Sequence, residues 1–227
     1  MMIIKKYFQL RYMLRLLEIL LLFIFYSENA LASESLYVSD FGAKVVHKLN
    51  LDGTYVKSIG ESILTRPWGI VFDTQGNMLV ADGTSIKVFQ KDSYITSFGS
   101  EYFTSSNFAS QLTVDEVGNI YVAKYGGGII EVFNAGYQHT NTLDFRSILG
   151  GSYEGPGGVC YDFLSDNLIF TTFWARTGDR GLFEITKSGT IVREFGVSWY
   201  SHNECGFDIN PHARDRAQRR MKMGLLQ

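Results

Sequence analysis

Apolar residues along this chain come in short runs separated by turn-forming residues, and the runs repeat. Leu36-Tyr37-Val38-Ser39-Asp40 returns as Met78-Leu79-Val80-Ala81-Asp82, as Ile120-Tyr121-Val122-Ala123-Lys124 and as Leu168-Ile169-Phe170-Thr171-Thr172, at spacings of 42, 42 and 48 residues. Ahead of the last three copies stands another apolar run that ends in Asp and a turn signal. These are Ile70 to Asp73 then Gly76-Asn77, Leu112 to Asp115 then Gly118-Asn119, and Val159 to Asp162 then Asp166-Asn167. Gly and Asn tolerate positive φ and an Asp carboxylate accepts backbone N–H groups, so each signature predicts a hairpin.

Two further strands fit each period. The third contains Val45 to Leu49, Ile86 to Phe89, Ile129 to Phe133 and Leu182 to Ile185. The fourth is Thr54 to Ile59, Ser93 to Phe98, Tyr137 to Leu143 and Thr190 to Phe195, entered through turns such as Asp52-Gly53, Asn134-Ala135-Gly136 and Ser188-Gly189. Four short antiparallel strands per period make one blade of a β-propeller. A single blade buries neither face alone, so neighbours must stack on it. The expected fold is therefore all-β, with about four recognisable four-stranded blades.

The segment Pro67 to Asp82 reads Pro-x-Gly-Ile-x-x-Asp-x-x-Gly-Asn-apolar-x-Val-Ala-Asp and resembles the NHL repeat. The resemblance covers about residues 36 to 209 in four copies, of which the third has Lys124 for the usual Asp, and the fourth has Thr172 there and an extra residue in its turn. It implies a six-bladed ring, which at this period needs roughly 250 residues. About 195 follow residue 32. Cys205-Gly206-Phe207-Asp208 looks like a fifth inner strand, but Asn210-Pro211 and a basic stretch come next. Two expectations stay open: a fragment or aberrant gene product, or a last strand that pairs with residues 36 to 59 and closes a small ring.

The amino terminus has a different character. Lys5, Lys6, Arg11 and Arg15 lead, an apolar run from Ile19 to Tyr26 follows, and Ala30-Leu31-Ala32 presents small residues where a signal peptidase reads. Residues 1–32 are expected to be a secretory signal cleaved before Ser33, with a retained anchor as the alternative; the run is shorter than the roughly 20 residues that span a bilayer. The expected location is secreted or periplasmic. Residues 33–210 form the repeats and 211–227 a basic tail.

Composition sharpens the picture. Aromatics make up 15% of the 227 residues and charged residues only 19%, with 23 glycines, which excludes a disordered polyelectrolyte and suits many strands with tight turns. Residues 33–212 carry 12 positive and 20 negative side chains, so nucleic acid is not an expected partner. The tail, with Arg214, Arg216, Arg219, Arg220 and Lys222, reads as a solvated end.

Little chemistry accompanies the repeats. The histidines, His47, His139, His202 and His212, show no metal spacing; His202, Cys205 and His212 lack a fourth ligand. Cys160 and Cys205 lie in nearly equivalent positions of successive inner strands, either bridged or two buried thiols. Some propellers that resemble this one are metal-dependent lactonases or lyases, which need several ligands converging on the central channel. Here the channel-facing strand starts read Trp68-Gly69, Ser110-Gln111, Gly157-Gly158 and Glu204, with at most one carboxylate. No catalytic residue, metal or cofactor is expected, and a hydrolase or lyase remains the alternative reading.

Connections in a meander alternate between the two faces of a propeller. One face receives only tight turns, including Asp52 and Lys187. The other receives 60–67, 100–107, 124–128, 150–156, 172–180 and 197–203, which are longer and aromatic. Binding residues concentrate on such loops. Arg66, Trp68, Tyr125, Trp174, Arg176 and Trp199 are the expected anchors for a protein, peptide or glycan ligand. No membrane contact is expected beyond residues 1–32, and self-association is expected where blades are missing.

Overall fold

The computed structural model describes residues 34–146, 156–172 and 180–196, and all regular structure there is β-strand. The strands are β1 (Ser35–Asp40), β2 (Val45–Asn50), β3 (Tyr55–Ile59), β4 (Pro67–Phe72), β5 (Met78–Asp82), β6 (Ser85–Gln90), β7 (Ser93–Phe98), β8 (Ala109–Val114), β9 (Ile120–Lys124), β10 (Ile129–Phe133), β11 (His139–Asp144), β12 (Pro156–Asp162), β13 (Asn167–Thr172), β14 (Arg180–Ile185) and β15 (Ile191–Gly196). They form four antiparallel meanders in chain order: β1-β2-β3, β4-β5-β6-β7, β8-β9-β10-β11 and β12-β13-β14-β15. The first sheet has three strands among the described residues, because β1 carries the second-strand motif Leu36–Asp40. The expected signal segment, the basic tail, Cys205 and the fifth inner strand lie outside the described residues.

Side chains alternate across the strands, and on β5 and β9 both sets find a neighbouring sheet. On β5, Met78 and Val80 join Val46, Ile59, Leu64 and Phe89 between the first two sheets, while Leu79 and Ala81 join Leu112, Val114, Ile120 and Val122 between the second and third. On β9, Ile120 and Val122 face back to the second sheet, while Tyr121 and Ala123 face forward to Val159, Leu168, Phe170 and Phe183 of the fourth. This stacking makes the sheets blades. On β1, Leu36 and Val38 are 44% and 48% exposed, whereas their repeat equivalents Met78 and Val80 are 3% and 0% exposed.

The Asp-x-x-Gly-Asn turns close as their chemistry requires. Asp73 Oδ1 accepts the Gln75 and Asn77 backbone N–H groups at 2.9 and 2.8 Å, and Oδ2 accepts Asn77 Nδ2 at 2.9 Å. Asp115 repeats this with Val117, Asn119 and Asn119 Nδ2 at 3.1, 2.8 and 2.9 Å. Gly76 and Gly118 sit at φ of 81° and 91°. In the fourth blade, with its extra residue, Asp166 takes positive φ and Asp162 accepts Leu164 N and Ser165 Oγ instead.

These turns also fasten one blade to the next. Tyr137, in the β10–β11 turn, donates its hydroxyl to Asp73 Oδ2 at 2.6 Å. Lys187, in the β14–β15 turn, reaches Asp115 Oδ2 at 3.7 Å and Asp166 Oδ1 at 2.6 Å. Asp92, in the β6–β7 turn, receives Lys48 and Lys57 of the first blade at 3.1 and 2.8 Å. Burial pushes the Asp92 carboxyl up, but the two ammonium groups bonded to it hold it below its ordinary range.

Candidate binding site

The inner strands β4, β8 and β12 begin about three residues earlier than the apolar pattern indicates, because each contains an irregularity in its pairing near its start. The one in β4 falls between Pro67 and Ile70, so it holds Trp68 and Gly69. A β-bulge re-aims a side chain without ending the strand. Gly69 is required there: a Cβ would lie 2.7 Å from Gln111 Oε1 and 2.8 Å from the Ser110 carbonyl of β8. Ser110 in turn donates to the carbonyls of Ala123 and Gly157, tying the second strand and the next inner strand to β8.

Arg66 is positioned by Asp82, the closing residue of the Val-Ala-Asp motif. This buried carboxylate accepts the backbone N–H groups of Thr65 (2.8 Å) and Arg66 (2.5 Å) and the Thr65 hydroxyl (3.2 Å). The loop before β4 is thereby clamped to the end of β5. The Arg66 guanidinium lies over the Phe108 ring at 3.7 Å, with Nη1 donating to the Ser105 carbonyl at 3.2 Å. Tyr125, whose N–H donates to the Phe108 carbonyl, stacks on the same ring, 4.6 Å from it at 21°. Trp68 completes the group, 5.2 Å from Phe108, 6.2 Å from Tyr125 and 6.4 Å edge-on from Phe41.

Three of the six expected anchors, Arg66, Trp68 and Tyr125, thus meet in one cluster on the long-loop face. Trp174, Arg176 and Trp199 lie outside the described residues. Sequence reasoning missed Phe41 and Phe108. Phe108 is one residue past the long loop 100–107, and Phe41 follows the Asp of the first repeat motif; an aromatic beside a loop boundary was the available signal.

Beside the cluster is a cavity of about 300 Å³, at the lower end of the range for ligand sites, lined by Ser39, Phe41, Pro67, Trp68 and Gln111. No ionisable side chain is among those five. Three buried side-chain polar atoms lack a hydrogen-bond partner among the described residues, and two of them belong to this cluster: Arg66 Nε and Trp68 Nε1. The third, Asn77 Oδ1, is on the tight-turn face. Among the described residues no three or more His, Cys, Asp or Glu side chains converge as a metal-binding group.

Comparison with solved structures defines the class to which this fold belongs, the β-propellers. Virginiamycin B lyase from Staphylococcus aureus matches with a TM-score of 0.58 at 17% identity, over 74% of this chain and 54% of that one. A chain of a nidogen/laminin complex matches at 0.55 and 16%, over 72% and 59%, and a gluconolactonase from Xanthomonas campestris at 0.52 and 13%, over 73% and 59%. The chain thus spans little more than half the length of these proteins, which include two enzymes and a member of a protein complex. No protein-family model matches the sequence, and no curated protein matches it.

Proposed function

We propose that this is an exported, NHL-type propeller that binds a protein, peptide or glycan through its long-loop face, without catalysis. The observation that carries the reading is the convergence of Arg66 and Trp68, where the β3–β4 connection enters β4, with Tyr125 of the β9–β10 connection in one cluster with Phe41 and Phe108, beside a cavity that Phe41 and Trp68 line. Arg, Trp and Tyr are the side chains that most often dominate binding energy when clustered. The propeller in the nidogen/laminin complex supports protein recognition by this architecture. Export rests on the charged and then apolar stretch before Ala32.

The test is to probe peptide and glycan arrays with the full chain and then with three variants. Trp68→Ala should lose the bound signal, while Asp52→Ala and Gln75→Ala, exposed on the opposite face, keep it. Loss with the Asp52 and Gln75 variants and retention with Trp68→Ala would place recognition on the wrong face. Protein recovered from an extracytoplasmic fraction should begin at Ser33; recovery with Met1 in place would reject cleavage.

A further inference from the structure

The two orphaned atoms at the cluster share one property: both are donors. Arg66 Nε–H and Trp68 Nε1–H are buried and unbonded, two positions apart in sequence. An unsatisfied buried donor carries a desolvation cost that only an acceptor relieves. The cavity has aromatic and proline walls in Phe41, Trp68 and Pro67, none of its described lining residues is ionisable, and of the two donors only Trp68 is among them. Within the cavity the donor to be met is therefore the uncharged Trp68 indole N–H, and its complement is a flat apolar surface that offers an acceptor without bringing donors of its own.

We propose that the cavity takes a proline-rich peptide segment in the polyproline II conformation, a statement that rests on the long-loop face being the binding face. Proline residues meet each requirement. Their rings are rigid and apolar, their backbone has no N–H, and in polyproline II the carbonyls have no internal partner. Aromatic-lined grooves use that match elsewhere. An oligosaccharide fits less well, since every hydroxyl that accepts must also place its own proton. Phe41 is the movable wall. It stands 55% exposed in the β1–β2 turn, edge-on to Trp68, so its rotation opens the indole edge to a peptide carbonyl at little cost to the core.

The experiment uses the full chain with its three tryptophans labelled at the indole nitrogen. Trp68→Phe, which keeps the aromatic wall and removes the donor, assigns the Trp68 signal. Acetylated hexaproline amide should move that indole proton downfield in a saturable manner, and cellohexaose should leave it in place. Trp68→Phe and Phe41→Ala should each weaken hexaproline binding tenfold or more. A Trp68 signal indifferent to hexaproline overturns the proposal. Movement with cellohexaose but not hexaproline overturns the ligand class while leaving the long-loop face as the binding face, whereas array binding lost only on substitution at Asp52 or Gln75 removes the face itself.

Discussion

The two faces of this propeller put their buried carboxylates to different uses. On the tight-turn face the carboxylates are saturated: Asp73 receives two backbone N–H groups, an amide and a phenol, and Asp115 the same set with Tyr121 as its phenol at 3.1 Å. On the long-loop face Asp82 is equally well bonded, but its bonds serve to hold Arg66, and beyond it two donors and a cavity stay unmatched. Saturation fixes blades to each other. Unmatched donors beside a cavity are suited to a ligand instead, so the difference separates what holds the fold from what the fold presents.

The comparison can be strained most at Asp82, where the two roles meet. Replacing it with Ala leaves the Thr65 and Arg66 N–H groups without an acceptor, and should cost about 3 kcal/mol of unfolding free energy in urea titration as well as array binding. An unchanged urea midpoint would show that the loop needs no clamp. Next in size is Tyr137→Phe, which withdraws the phenol from Asp73. Hydrogen bonds to charged groups contribute about 1.5–3 kcal/mol. The same titration should show a loss in that range with binding intact, and lost binding would mean that the faces are coupled.

A smaller effect lies in the alkaline range. Burial first, and then the Asp73 carboxylate to which it donates, hold the Tyr137 phenol well above its ordinary range. The unfolded chain releases this proton near pH 10 and the folded chain retains it, so the stabilisation is complete below about pH 10 and declines as pH rises further. Tyr137→Phe should flatten that decline in thermal melts between about pH 9 and 11; identical slopes would assign the effect elsewhere. The smallest change in stability is expected from Phe41→Ala. This exposed ring should alter stability by less than about 0.5 kcal/mol. A larger loss in the melt would make Phe41 a structural cover and remove it as a wall of the site.

Local chemistry made most of the fold legible. The 42-residue period, the Asp-x-x-Gly-Asn turns and the alternation on β5 and β9 follow from backbone conformation and side-chain direction, both readable within a few residues. The shared face of Arg66, Trp68 and Tyr125 followed from the alternation of connections. Other features have no local signature. The bulge at Trp68-Gly69 depends on the close approach of Gln111 on another strand. The β6–β7 turn uses Lys91 and Asp92 at φ of 47° and 66°, without glycine, and Asp92 is held there by lysines 44 and 35 positions earlier. Lys187 sits in an ordinary Lys-Ser-Gly turn, and its contact with Asp115, 72 positions earlier, has no mark in the sequence around it.

Three cross-blade contacts on the tight-turn face share a direction. Asp92 of the second blade grips the first, Tyr137 of the third grips the second, and Lys187 of the fourth grips the third. In each case the later-synthesised residue lies in the outer turn of its own blade, among the last parts of that blade to leave a ribosome. Chains emerge at roughly 5–20 residues per second, and the elements that emerge first fold first. A blade of this chain therefore meets its anchor already built, as a ratchet meets its previous tooth, and assembly can advance blade by blade during synthesis.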